Sequence, residues 1–148
     1  MTRRCRDERG SALVELSWLG LLLMVPLLWI VVSVFEVQRG AFAVSTAARS
    51  AGRVFALAPN DALGRARADV VVRQALADQG LEGQSFSVEI SCSPNPRDCH
   101  QGTSVITVRV STGVAVPLLP EVLGGDAPRF ALDAEHTVPI GQYQEIDR

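Results

Sequence analysis

The sequence predicts an α+β protein: a long N-terminal transmembrane helix that continues outward, a second helix, and a three-stranded antiparallel sheet. Residues 16–35 carry no charge, apolar residues then recur at helical spacing as far as residue 79, and beyond that point apolar and polar residues alternate. Helices followed by strands are typical of the α+β class. A chain of 148 residues is long enough for one modest domain beside such a helix.

The composition argues against several functional classes. The 14 cationic residues nearly balance the 16 acidic ones, so the chain lacks the basic excess of a nucleic-acid-binding protein. The sequence contains no P-loop, no dinucleotide-binding fingerprint and no Gly-x-Ser-x-Gly motif. Asp133 and Glu135 share a strand face, but no third group is placed to act with them. We therefore expect no enzymatic activity, no cofactor, no metal and no nucleic-acid partner.

The uncharged run of residues 16–35 has the length of a transmembrane helix. At about 1.5 Å per residue it makes a helix of about 30 Å, the thickness of the hydrocarbon core of a bilayer. Ser17 and Ser33 are its only hydroxyl-bearing residues, and a helical Ser can donate to a carbonyl one turn earlier. Pro26 removes one helical hydrogen bond, which membrane helices tolerate. We expect a single membrane span here.

The charges that flank the span predict its orientation. Four Arg precede it, at positions 3, 4, 6 and 9, whereas Arg39 is the only nearby basic residue after it. The positive-inside rule then places the N-terminus in the cytoplasm and the C-terminal part outside the cytoplasmic (inner) membrane. A cleaved signal peptide is the alternative, with a weak site in residues 40–43, but the apolar region of a signal peptide is usually only about 7–15 residues long.

The helix is expected to continue beyond the bilayer to about residue 58. Residues 41–58 are rich in Ala and contain no Pro. Apolar residues share one face of this segment at helical spacing: Ala47, Ala51, Val54 and Ala58. Arg49 and Arg53 project from the opposite face, which we interpret as solvated rather than as a contact for a partner. Gly40 weakens the helix, so a break near Gly40 is an alternative.

A second helix is predicted over residues 61–79. The boundaries of this helix carry residues that typically stop or cap helices. Pro59, Asn60 and Asp61 can end the first helix and cap the second, and Gly80 can end the second. The apolar pattern is imperfect. Leu63, Ala66 and Val70 share a face, but Val72 and Leu76 lie off it.

Three half-buried strands follow. Their core-facing residues are expected at alternate positions: Phe86, Val88, Ile90 and Cys92 in the first; Ile106, Val108 and Val110 in the second; Phe130, Leu132, Ala134, His136 and Val138 in the third. An antiparallel meander is the simplest topology for such strands.

The connections of the sheet contain two further features. Residues 116–125 form an apolar loop, which we interpret as cover for the sheet, the alternative being a contact patch for another protein. Cys92 and Cys99 would lie outside the cytoplasm, where disulfides persist, so we expect a bridge between them. A metal site made of Cys92, Cys99 and His100 is the weaker alternative, because structural zinc normally takes four protein ligands.

Glu15 is the candidate functional residue, because it is a lone carboxylate directly before the N-terminal end of the predicted span. An ionised carboxylate costs about 2.5–3.5 kcal/mol at the centre of a span and less near its ends. Either Glu15 lies unpaired among lipid headgroups, or a cation neutralises it. Cleavage after Gly10 would supply one, since Ser11 would then carry an ammonium about 6 Å from the level of Glu15. In staggered neighbouring helices this ammonium could pair with Glu15 of another subunit.

A basic leader, Gly10, a carboxylate five residues later and an apolar helix together resemble the processing signature of type IV pilins. The string from Gly10 to Leu28 resembles the TadE-like family, the minor pseudopilins of tight-adherence (Flp-type) pilus systems. Residues 47–53, rich in Ala and Arg, are similar to the helix that follows the membrane segment of that family. The resemblance covers about residues 9–58. Major Flp pilins carry Tyr after the Glu and are shorter, whereas this chain has Leu16 and an added domain, which indicates a minor component.

The resemblance implies a division of the chain into a prepilin-type leader at residues 1–10, a long N-terminal helix at residues 11–58, and an extracytoplasmic α+β domain at residues 59–148. It places the processing site at Gly10 and Ser11, and it places a small sheet on the outer half of the helix. The implied partners are the membrane, a prepilin peptidase, other pilins or pseudopilins and the pilus assembly platform. The alternative functions are an unprocessed single-pass anchor that displays a small binding domain and, more weakly, a secreted protein.

Overall fold

The structure, a computed structural model, describes residues 9–115 and 129–141. Its elements, in chain order, are α1 (Arg9–Ala56), α2 (Asp61–Ala77), β1 (Phe86–Ser93), β2 (Val105–Ala115) and β3 (Arg129–Pro139). The predicted α+β class, with two helices before three strands, is confirmed. Most of the predicted leader and the apolar loop at residues 116–125 lie outside the described residues. The chain divides into two compact units, residues 1–35 and 36–148.

The sheet of the second unit is an antiparallel meander in the order β1-β2-β3. Glu89 of β1 pairs with Arg109 of β2, and Arg109 pairs in turn with Glu135 of β3. The predicted alternation is confirmed, because the inward positions are buried at Ile90, Cys92, Ile106, Val108 and Val110. β2 extends further than the alternation suggests, and its last residue, Ala115, pairs with Arg129 at the start of β3.

The C-terminal part of α1, from Gly40 onward, packs closely against one face of this sheet. A Cβ placed on Gly40 would lie 2.6 Å from Leu132 Cδ1 and 2.7 Å from Val114 Cγ2. Gly52 makes a similar approach, with Val138 Cγ2 3.1 Å from the position of a Cβ. The helix runs through Gly40 without the break considered above, because this glycine allows helix and sheet to touch. The predicted Ala-rich face is confirmed: Ala47, Ala51 and Ala58 are buried, and Val54 is half-buried.

Arg49 and Arg53 are exposed, on the side of α1 away from the buried Ala residues, as predicted. Glu36 and Arg39 form an ion pair one turn apart at the start of this unit, with 3.1 Å between Oε2 and Nη2. Both side chains are partly exposed, so the pair contributes little to stability.

α2 begins at the cap that the sequence predicts. The side chain of Asn60 accepts a hydrogen bond of 2.9 Å from the Leu63 amide. The buried face of the helix, however, consists of Gly64, Ala68, Val72 and Leu76, not of the face shared by Leu63, Ala66 and Val70. The reason is close packing, because a Cβ on Gly64 would lie 2.8 Å from Phe55 Cδ2. The face of α2 with the smallest side chains therefore packs against the end of α1.

Replacing Gly40 with Val should destabilise the second unit by about 1–3 kcal/mol, because the new side chain must displace Val114 and Leu132 from a filled contact. Gly141→Val is the matched control, since no heavy atom lies within 4 Å of a Cβ at that position. Urea unfolding followed by far-ultraviolet circular dichroism, on detergent-solubilised protein, measures the difference. Equal midpoints for the two variants would contradict the close approach of α1 and β2.

Candidate functional site

The first unit is the N-terminal part of α1, which carries the candidate processing site and Glu15. α1 begins at Arg9, so the Gly10–Ser11 bond lies in its first turn. Glu15 is exposed on the helix about one turn after Ser11. The structure thus supports the helical spacing that the charge-pairing hypothesis assumes between these positions.

Most of the described apolar side chains of this unit are exposed. α1 contains a stretch long and apolar enough to cross a membrane, and none of that stretch is buried against the rest of the described chain. A core helix of a soluble protein would be mostly buried. The exposed side chains include Leu16, Trp18, Leu22, Met24 and Leu28, each more than half exposed. A surface of this kind suits lipid tails or the apolar helices of neighbouring subunits.

The two Ser hydroxyls inside the apolar run are hydrogen-bonded to the helix itself. Ser17 Oγ donates to the Leu13 carbonyl at 2.8 Å, and Ser33 Oγ donates to the Trp29 carbonyl at 2.9 Å. These bonds follow the pattern expected for helical Ser. Pro26 lies inside α1, which continues on both sides of it. Glu15 is the only charged residue in the sequence between positions 11 and 35.

A second site lies in the other unit, where the two cysteines meet. The Sγ atoms of Cys92 and Cys99 lie at disulfide-bonding distance, and their Cα atoms are 5.4 Å apart. The bridge ties the end of β1 to the loop that leads to β2. Cys99 is fully buried, and its amide donates to Asp61 Oδ2 at 3.2 Å. The disulfide loop is therefore held against the start of α2.

His100 fastens the same loop to both helices. Its Nε2 lies 2.9 Å from the carbonyl oxygen of Phe55, near the end of α1, and its Nδ1 lies 2.5 Å from Oδ1 of Asp61, in the first turn of α2. The imidazole also packs beside the Phe55 ring, with 5.1 Å between the ring centroids. We call His100, Asp61, Phe55, Cys92 and Cys99 the His100 cluster.

Both ring nitrogens of His100 have a partner within the fold. A carbonyl oxygen can only accept, so Nε2 donates its hydrogen to Phe55. Nδ1 faces the Asp61 carboxylate, so the imidazole links the end of α1 to the start of α2.

The contacts of the His100 cluster join the disulfide loop to both helices. A His–Asp pair is also part of a hydrolytic triad, but a general base needs a ring nitrogen that can reach substrate. Both nitrogens of His100 are engaged within the fold, and the residue is only 7% exposed. The alternative metal site is not supported either, since within residues 9–115 and 129–141 no group of three His, Cys, Asp or Glu side chains is placed to hold an ion.

The predicted site residues fall in different units. The cysteines are brought together as expected, whereas Gly10, Ser11 and Glu15 belong to the N-terminal unit. Sequence reasoning missed the pairing of His100 with Asp61. The local signal was weak: His100 directly follows a disulfide cysteine, and Asp61 directly follows a helix cap, but 39 residues separate them. Comparisons with family models, curated proteins and solved structures found no match to this chain.

Proposed function

We propose that this protein is a minor pseudopilin that a prepilin peptidase processes and that acts in the assembly of a Tad/Flp-type pilus. It is held in the cytoplasmic membrane by α1, with its N-terminus in the cytoplasm and its α+β unit outside. It acts by helix packing and charge pairing rather than by catalysis.

The observation that carries this proposal is the position of Glu15. It is the only charged residue in the sequence from 11 to 35, on a helix whose described apolar side chains are mostly exposed, and it stands five residues after Gly10, the last residue of a basic leader. A carboxylate at this depth is unfavourable unless a cation approaches it. Cleavage after Gly10 creates such a cation at Ser11, so processing and assembly are chemically linked.

The assembly step follows from this pairing. The new ammonium of one subunit and Glu15 of its neighbour attract each other most strongly where water is scarce, because the effective dielectric constant is low there. Helices that stack with an axial offset of about one turn bring these two groups to the same level. The apolar side chains of the span then exchange lipid contacts for contacts with neighbouring helices. Subunits that keep the leader lack the cation at this position.

The second candidate function is an unprocessed single-pass anchor that displays a small binding domain outside the cytoplasm. The features that favour it are the disulfide and the well-packed second unit, which suit a stable extracytoplasmic module without any role for Glu15. It requires the same membrane span, but no cut after Gly10.

Mass spectrometry of the N-terminus, on protein purified from its native membrane, tests the proposal. We expect a mature chain that begins at Ser11. A chain that begins at Met1 or Thr2 would support the anchor instead, and a start beyond residue 40 would indicate a secreted protein. Gly10→Leu, which alters the residue before the cut, should leave the leader attached. Ala12→Leu, two residues away on the other side of the cut, is the matched control and should be processed normally.

A further inference from the structure

α2 has apolar residues on two opposite sides, and the described residues cover only one of them. The covered side packs against the end of α1 through Gly64. On the other side Leu63, Ala66 and Val70 follow one another at helical spacing and are exposed, Val70 to 62%. We call these three residues the outer face of α2. A surface helix normally turns polar residues outward, so an apolar outer face indicates contact with another molecule.

Two guanidinium groups border this outer face. At 3.6 residues per turn, Arg67 lies on one side of it and Arg73 on the other. Both are exposed, and neither forms an ion pair with a carboxylate in the part of the chain that the structure describes. α2 contains three Arg and two Asp, and one of the two, Asp61, binds His100. The exposed surface of α2 is therefore basic, although the net charge of the whole chain is −2.

A cleft continues the outer face at the C-terminal end of α2. It has a volume of about 260 Å³, it reaches the start of β1, and its lining includes Arg73, Leu76, Leu81 and Phe86. The Arg73 guanidinium lies 5.6 Å from the centre of the Phe86 ring, so a cation stands beside an apolar floor. Sites for small molecules usually measure about 300–1,000 Å³. A cleft of this size suits one bulky side chain of a partner better than a separate ligand.

The charges indicate which partner fits. A two-fold contact with a second copy would place the outer face against itself, and its basic residues would then oppose binding. A phospholipid surface also fits poorly. The outer face has no aromatic residue, and phosphate would repel Asp69 on α2 and Glu82 beside the cleft. A helix with an apolar face between two rows of carboxylates matches both the apolar residues and the two guanidinium groups.

We propose that the outer face of α2 and the adjoining cleft are a docking site for an acidic amphipathic helix of another protein. Apolar residues of that helix cover Leu63 and Val70, one bulky side chain enters the cleft, and carboxylates pair with Arg67 and Arg73. The site lies entirely within the second unit. It depends neither on the membrane span nor on cleavage after Gly10.

Peptide binding to the full chain in phosphatidylcholine nanodiscs tests the charge requirement. The probe is a fluorescein-labelled amphipathic helix with Leu on one face and Glu on both flanks, and the matched peptide carries Lys in place of Glu. By fluorescence anisotropy we expect the Glu peptide to bind at least about tenfold more tightly than the Lys peptide. The double variant Arg67→Glu/Arg73→Glu should reverse this preference.

The matched control is Arg49→Glu/Arg53→Glu, which makes the same change of charge at exposed positions of α1 and should keep the preference. Equal binding of the two peptides to the unaltered chain would overturn the docking site. The same loss of preference in both double variants would also overturn it, because net charge rather than the outer face of α2 would then select the peptide.

Photo-crosslinking in native cells, with p-benzoylphenylalanine in place of Ala66, tests the nature of the partner. We expect a crosslink to a different protein, at a helical segment in which Asp or Glu flanks apolar residues. Arg67→Glu/Arg73→Glu should abolish it, and Arg49→Glu/Arg53→Glu should not. A crosslink to a second copy of this chain or to lipid, or no crosslink at all, would overturn the docking site. The N-terminal mass of the same material reports cleavage after Gly10 separately, so failure of the docking site is distinguishable from failure of the pseudopilin proposal.

Discussion

His100→Ala should destabilise the second unit by about 3 kcal/mol. The substitution removes both hydrogen bonds of the imidazole, so the Phe55 carbonyl and the Asp61 carboxylate lose this partner. A buried polar group that loses its partner costs about 1–3 kcal/mol, and the empty space beside the Phe55 ring adds a cavity term. The Asp61 side chain is 26% exposed. Because its carboxylate is partly solvated, the loss of folding free energy should be smaller than for a fully buried pair.

Chemical unfolding of the detergent-solubilised protein, followed by far-ultraviolet circular dichroism, measures this loss. His136→Ala is the matched control, because it removes a half-buried imidazole from β3 that lies near Gly52 of α1. We expect it to cost less than half as much. Equal losses for the two histidine variants would show that the His100 cluster contributes no more than ordinary packing.

Asp61→Asn separates hydrogen bonding from charge within the same cluster. The amide nitrogen of Asn can donate to Nδ1 of a neutral His100, while its oxygen accepts from the Cys99 amide, so every polar atom keeps a partner. We expect a loss of about 1 kcal/mol or less. A loss as large as that of His100→Ala would show that the charge of the pair, rather than its hydrogen bonds, stabilises the junction.

Local sequence patterns predicted the elements of the fold well, because each pattern reports burial of one face. The alternation around Ile90 and Val108 identified the strands, and Asn60 identified the start of α2. The buried face of α2 could not be predicted in this way. It is lined by Gly64 and Ala68, whose small side chains carry little hydrophobic signal, and it is chosen by how closely α2 can approach Phe55.

The candidate sites differ in how far the sequence could predict them. Cys92 and Cys99 are close in sequence, so their approach was expected from the pattern alone. His100 and Asp61 meet only because α2 begins beside the disulfide loop, a long-range consequence of the fold that no local pattern encodes. For Glu15, the sequence supplies both the carboxylate and the spacing from Gly10, whereas its proposed partner belongs to another subunit and must be tested in the assembly.

Glu15→Ala should leave membrane insertion and N-terminal processing intact but reduce incorporation into pili at least about tenfold. If pairing with the ammonium of a neighbour contributes about 1.4 kcal/mol per contact, its loss lowers each association constant about tenfold. Insertion should not suffer, because removing a carboxylate makes the span more apolar. The measurement is an immunoblot of sheared pili against the membrane fraction, with N-terminal mass spectrometry of both.

Two companion variants identify the cause of that reduction. Glu15→Gln keeps the size of the side chain but removes the charge, so it should be as defective as Glu15→Ala. Glu36→Ala removes a carboxylate at the other end of the uncharged run, where it pairs with Arg39 of its own chain, and should be incorporated normally. Wild-type incorporation of processed Glu15→Gln would rule out charge pairing as the assembly mechanism. A defect shared by Glu36→Ala would indicate that acidic residues at either end of the span act by a route other than pairing with the new N-terminus.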